Sequence, residues 1–261
     1  MPQRRTLLHT GPAWTVERVL RHAGPVQWSI RYEAVSPRWV LPVEGLAEFQ
    51  AEAGPVLLDG LTALGLPQGL PYRMRPLVPA SQTHIVVSGP AACTLGTRLA
   101  QVRTLTPRML WELRRQWRLM AQGRSAPSPL LPCAWTPALP GPEVSRPVAR
   151  ARLFMAQQVA AADGVRWSLQ DAAEAAGCSV FHLAHLFRRQ LGLSLHSYRK
   201  RLRMAMALQW LDAGERDLAA LAHDLGYSSQ SHLGAVFRRE VGVTLTQARS
   251  TLQARVESAG F

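Results

Sequence analysis

The chain has few cysteines, almost no lysine and no long apolar run, and the shortages exclude whole classes of protein. Cys93, Cys133 and Cys178 lie far apart and form no CxxC pair, so neither a disulfide framework nor a zinc ribbon is expected. His9, His22 and His84 stand singly and no HxH occurs, so no metal site is expected; no other cofactor and no catalytic role is expected either. No stretch of about eighteen apolar residues offers a membrane span. Met1 to Thr6 leads into no apolar segment of signal-peptide length. A soluble protein of the reducing cytoplasm is the expectation.

What is present is positive charge, proline in one place, and a repeat. The formal charge is +13, from 30 basic and 17 acidic residues, a balance that favours a polyanionic partner through phosphate neutralisation. Every basic residue except Lys200 is arginine. Charge does not locate the site, because residues 1–149 carry 16 basic and 8 acidic residues while residues 150–261 carry 14 and 9. At 261 residues there is room for two domains. Seven prolines between Gly123 and Pro147 fix φ and remove backbone donors, so neither a helix nor a central strand is expected there. The expected division is 1–122, a proline-rich linker 123–147, and 148–261.

The front part reads as β. Val26, Trp28, Ile30 and Tyr32 alternate with polar residues, the period of a half-buried strand, and short strand-like runs surround Val40, Val56 to Leu58, Tyr72 to Met74 and Ile85 to Val87. Turns rich in glycine and proline separate them, which suggests a sandwich or barrel. One helix follows, with Thr106 as N-cap and Pro107 at its first position. Its stripe of Leu110, Leu113, Trp117 and Met120 fits either a dimer seam or a seat on its own sheet.

The back part reads as helices, and it repeats. Ser168, Leu169, Ala173 and Gly177 match Asp217, Leu218, Ala222 and Gly226 at a register of 49; then His182, Phe187, Gly192, Leu195 and Arg199 match His232, Phe237, Gly242, Leu245 and Arg249 at 50. Each unit is a helix-turn-helix: about 168–190 and 217–240, joined by a linker helix at about 196–211. A capped first helix carries apolar residues three or four apart. A small alanine allows the second helix to cross closely, and a glycine takes the left-handed turn. Leu183, Leu186 and Phe187, like Leu233, Val236 and Phe237, turn inward, leaving the opposite face free to enter a major groove.

Residues 150–250 resemble the DNA-binding domain of the AraC/XylS family. The alanine and glycine of the first helix, the capped second helix ending in Phe-Arg-Arg with a glycine nearby, and Arg201-Leu202, Ala205 and Leu208 in the linker helix carry the resemblance. Leu195 and Leu245 depart from it, where relatives usually have proline. The front half resembles the family's cupin-like (jelly-roll) domain through Leu64-Gly65-Leu66-Pro67, Gly69 and Leu70-Pro71-Tyr72-Arg73. The fold implied is α+β in two domains, a β-rich cupin-like one and an all-α one.

The resemblance implies base contacts at Ser179, Val180, Phe181, Ala184 and His185, and at Ser229, Gln230, Ser231 and Ala235. Gln230 suits adenine, His185 a guanine edge, and Phe181 with Val180 thymine methyls. Arg188, Arg189, Arg238 and Arg239 read as phosphate clamps, with a solvated surface charge as the plainer reading of Arg188 and Arg238. His182 and His232 read as packing or cap residues. Ala184, Gly234 and Ala235 are small, so part of the specificity is expected from DNA shape. Double-stranded promoter DNA and RNA polymerase are the implied partners, with activation the usual sign and a small-molecule effector in the front domain; monomer and homodimer stay open. Two alternatives compete: a nucleoid protein, supported by charge alone, and a thiol redox sensor or DNA-alkyl acceptor on the same reader. An acceptor keeps its reactive thiol among other cysteines, company that Cys93 and Cys133 lack, and a buried inert thiol is commoner than a sensing one.

Overall fold

In a computed structural model, the structure describes residues 3–51, 54–90, 100–124, 144–160 and 167–253. Cys93, Cys133 and most of the proline-rich segment 123–147 lie outside the described residues. Ten strands come first: β1 (Gln3–Thr10), β2 (Thr15–Arg21), β3 (Tyr32–Glu33), β4 (Arg38–Glu44), β5 (Ala47–Ala51), β6 (Gly54–Leu58), β7 (Thr62–Leu66), β8 (Pro71–Pro76), β9 (Gln82–Ser88) and β10 (Gln101–Thr104). They form an antiparallel six-stranded sheet, β1-β2-β9-β4-β7-β10, and a four-stranded one, β3-β8-β5-β6. The turn through Gly69, at φ 77°, carries the chain from β7 in one sheet to β8 in the other, as the resemblance implied.

Strand alternation sorts the layers, because successive side chains point to opposite faces. Trp39 and Leu41 of β4, and Ile85 and Val87 of β9, join an apolar cluster with the helices. Val40 of β4 and Leu64 and Leu66 of β7 pack instead with Phe49 and Leu58 of the smaller sheet. The larger sheet is therefore the middle layer, with the smaller sheet on one face and helices on the other. This is the β-rich half that the sequence implies, two packed antiparallel sheets.

One expected strand is absent. Of Val26 to Tyr32, only Tyr32 enters a strand, and Val26 and Ile30 are 49% and 75% exposed. Ser29 donates its backbone N–H to the Met74 carbonyl at 2.8 Å, but its hydroxyl, not its carbonyl, accepts from Met74 N at 3.0 Å. A side chain replaces the backbone partner and the ladder stops. Trp28 is held instead by the guanidiniums of Arg73 and Arg75, 4.8 and 4.7 Å from its ring centre.

Helix α1 (Pro107–Ala121) starts as expected, with Met109 N donating to the Thr106 hydroxyl at 3.2 Å. Its stripe of Leu110, Leu113, Trp117 and Met120 is buried in its own chain, against the middle sheet and the helices that follow. The dimer-seam reading of that stripe falls. The back half comprises α2 (Arg146–Ala160), α3 (Leu169–Ala176), α4 (Val180–Leu191), α5 (Leu195–Ala213), α6 (Leu218–Asp224), α7 (Gln230–Val241) and α8 (Leu245–Gln253). One continuous cluster joins the outer face of the middle sheet, α1 and these helices.

Two polar bolts tie the halves together, one near each end of α5. At its start, Tyr198 donates its hydroxyl to Asp59 Oδ2 and accepts from Arg152 Nε at 3.0 Å. Arg152 also pairs with Asp59 at 3.1 Å and donates to the Thr62 hydroxyl at 2.9 Å. The other carboxylate oxygen of Asp59 accepts from Leu61 N at 3.0 Å and the Thr62 hydroxyl at 2.7 Å. Burial alone would lower the Arg152 guanidinium, but Tyr198 and Asp59 outweigh it and leave its pKa raised. Burial raises the Tyr198 phenol, so the cation and the neutral donor both persist at neutral pH. At the far end, Asp212 takes Arg114 at 2.8 Å and Arg118 at 2.5 Å, while Arg114 also donates to the Val43 carbonyl at 2.6 Å.

Candidate nucleic-acid interface

The two readers are built alike from their caps inward. Ser168 caps α3 in a reciprocal box with Asp171, and Asp217 caps α6 by accepting from Ala219 N and Ala220 N, both at 2.9 Å. Gly177 and Gly226 take φ of 71° and 72°, the left-handed region that costs other residues about 1–2 kcal/mol. Gly177→Ala is accordingly expected to cost about 1 kcal/mol in denaturant unfolding; a gain in stability would contradict the turn described. Ser179 and Ser229 cap α4 and α7, accepting from His182 N and His232 N at 3.2 and 3.1 Å.

The repeat extends to contacts that the sequence reading missed. Arg199 donates to the carbonyl of Trp167, just before the first cap, and Arg249 donates to that of Arg216 at 2.9 Å, just before the second. Each arginine thus pins the entry of its own unit. The signal was in the Arg199–Arg249 match, but arginine spacing does not say what it binds. Arg199 also lies over Trp167 at 4.4 Å; burial and then Arg203 pull its guanidinium down to about 10, still charged at neutral pH.

Leu195 and Leu245 prove harmless departures. Each is the first residue of its helix, α5 or α8, and both are buried. That is the position proline favours, having a backbone donor the helix does not need. Here caps do the work: the Ser194 hydroxyl accepts from Ser197 N at 3.1 Å, and the Thr244 hydroxyl accepts from Gln247 N at 3.2 Å while Thr244 N donates back to Gln247 at 2.9 Å.

Leu183, Leu186 and Phe187 are buried in α4, as are Leu233, Val236 and Phe237 in α7. Of the residues expected to meet bases, Ser179, Phe181, His185, Ser229, Gln230, Ser231 and Ala235 are exposed. Ala184, like Gly234, is half-buried. Val180 is half-buried too and packs against the core, so it is less available than its place at the helix start implies. Phe181 is 86% exposed, which is unusual for a large apolar side chain. The serine hydroxyls that cap their helices keep their own protons for donation.

Arg188, Arg189, Arg238 and Arg239 are all exposed near the ends of the two helices. Among the described residues Arg188 and Arg238 make no ion pair. Arg239 lies 3.4 Å from Glu240, which also binds Lys200 at 2.7 Å. Burial would raise Glu240, but Lys200 and then Arg239 hold it below the usual carboxylate range. Arg189 borders a cleft of about 650 Å³ between the front sheets and α2. His232 sets its ring edge-on to Tyr227 at 5.2 Å and bonds Ser228 at 3.1 Å, a packing and cap role; His182 is exposed.

Residues 172–251 match the family model described as a helix-turn-helix domain. A putative AraC-like transcription regulator from Streptomyces lividans is 35% identical over 77 residues, 30% of this chain and 25% of that protein. The match thus spans a quarter of that relative's length. Regulatory protein SoxS of Salmonella typhimurium is 35% identical over 80 residues, 31% of this chain and 75% of that protein. Among solved structures, the C-terminal domain of AraT, a response regulator from Geobacillus stearothermophilus, is 25% identical, with a TM-score of 0.38, covering 42% of this chain and 88% of that one. Two helix-turn-helix units on one linker helix, matched in sequence along most of a short relative, show that the chain belongs to the AraC/XylS family of DNA-binding transcription regulators.

Proposed function

We propose that this protein is a sequence-specific regulator of the cytoplasm. It seats α4 and α7 in successive major grooves on one face of promoter DNA and acts, with RNA polymerase, chiefly as an activator. The observation that supports this is the duplicated exposure: the same register positions face outward in both helices while their partners hold the core. The 19 residues of α5 span about 28 Å, so with the flanking bodies the readers fit about one DNA turn, ~34 Å. Base readers gather at the helix starts, and Arg188 and Arg238, which make no ion pair among the described residues, suit phosphate contacts. Residues 1–122 and 148–261 serve as sensor and reader, with a small molecule in the sensor shifting DNA affinity through the two bolts on α5.

Competition binding tests the reading. A promoter fragment flanking the gene should be preferred over bulk DNA by about 10³-fold or more. Arg188→Ala and Arg238→Ala should each reduce the slope of log K against log salt by about 1 and weaken all sequences alike. Equal affinity for any duplex would favour the nucleoid alternative and defeat this one.

A further inference from the structure

Between the two sheets lies a cavity of about 60 Å³ whose walls differ in kind. The middle sheet contributes Arg21, Arg38 and His84, which are 6%, 7% and 6% exposed. The smaller sheet contributes an aromatic wall, with Phe49 stacked on Tyr72 at 4.7 Å and Tyr32 tilted against it at 5.7 Å. Among the described residues no aspartate or glutamate lines the cavity, and neither Arg21 nor Arg38 makes an ion pair. Among the described residues Arg38 bonds the Ser36 carbonyl, at 3.1 Å, and the Tyr72 phenol. Arg21 is given no hydrogen-bond partner by any described residue.

The contrast with the rest of the molecule matters. Arg114 and Arg152 are equally buried, and each has a carboxylate. Arg5, also at the cavity, pairs with Glu17 at 3.0 Å. A buried guanidinium without an opposite charge is costly, and proteins avoid it unless a counter-charge arrives. Arg21 stands opposite Gln82 at one end of β9 and Arg38 opposite Ser88 at the other, yet both reach the same cavity. Each arginine therefore lacks a counter-charge at its own end of the cavity.

We infer that the space between the sheets is a binding site for a small oxyanion, a short carboxylate or a phosphate, held by the Arg38 guanidinium with the Tyr72 hydroxyl beside it. Burial, and then Arg21, push the His84 imidazole down to about 4, so it is neutral at pH 7 and offers the anion a donor rather than a charge. The volume admits a few heavy atoms, which excludes a sugar or a long acyl chain. The site deepens the effector reading above and rests on it for any regulatory sense, but binding itself is measurable without DNA.

The experiment is calorimetric titration of the full chain with phosphate, sulfate, acetate and succinate, against neutral acetamide and against sodium chloride at equal ionic strength. Saturable one-to-one binding is expected from at least one oxyanion and from neither control. The phosphate and carboxylate arms show which chemistry the cavity prefers. Arg38→Met should weaken that binding by about tenfold or more, and Arg21→Met, opposite the other end of β9, should weaken it less. Arg38→Lys, which keeps the charge, should retain more of it and serves if a methionine variant misfolds. Absence of saturable binding by every oxyanion overturns the site, and so does binding that survives Arg38→Met. Should an oxyanion bind there with no change in promoter affinity, the effector reading fails while the site stands.

Discussion

Replacing Arg152 by methionine is expected to lower the unfolding free energy by about 3–5 kcal/mol, the usual cost of removing one partner from a buried charge pair. The reason is the fate of Asp59. It is fully buried, and its two oxygens are served by Arg152, Tyr198, Leu61 and Thr62. Without the guanidinium the carboxylate keeps its neutral donors but loses its counter-charge, in a place water does not reach. Asp59→Asn should be costly for the converse reason, since it leaves Arg152 charged and unpaired. The double substitution should then cost little more than either single one, because each single variant already forfeits the shared interaction. Urea denaturation of the four proteins measures this. Single-variant costs below about 1 kcal/mol, or strict additivity, would show that the bolt contributes little.

The same bolt marks the limit of what the sequence discloses. The back half was legible because its signals are local: a cap, a three-and-four apolar spacing, a glycine at the turn, all stated twice. Those features placed α3 to α7 within a residue or two of their ends. Asp59 and Tyr198 are 139 residues apart and Asp59 and Arg152 are 93 apart, and no periodic pattern announces such a meeting. The front half was half legible for a related reason. Short strand-like runs located β4, β6, β8 and β9, but alternation suggested a strand at Val26 to Tyr32, where a serine side chain takes the place of a backbone acceptor. Alternation reports that a side faces something, not what it faces. Arg21 and Arg38 occupy positions that a pattern assigns to water, and the structure turns them toward the smaller sheet.

Phe181→Ala should weaken binding to the cognate promoter by about 1.5–3 kcal/mol, the value of burying a phenylalanine, or roughly ten- to a hundredfold. Stability should move by no more than about 0.5 kcal/mol, since the ring is 86% exposed and supports nothing in the free protein. A side chain whose removal harms binding and spares the fold is one that a partner covers. Gln230→Ala, at the matching start of α7, should instead relax the preference for adenine at one or two base pairs. The two effects ought to be separated along the DNA by about 10 base pairs, one helical turn. Selection of binding sites from random duplexes by wild type and both variants reads that separation directly. If both substitutions altered the same few base pairs, α4 and α7 would share a groove and the two-groove arrangement would be wrong. If Phe181→Ala left affinity intact, the first reader would not bury its exposed face on DNA at all.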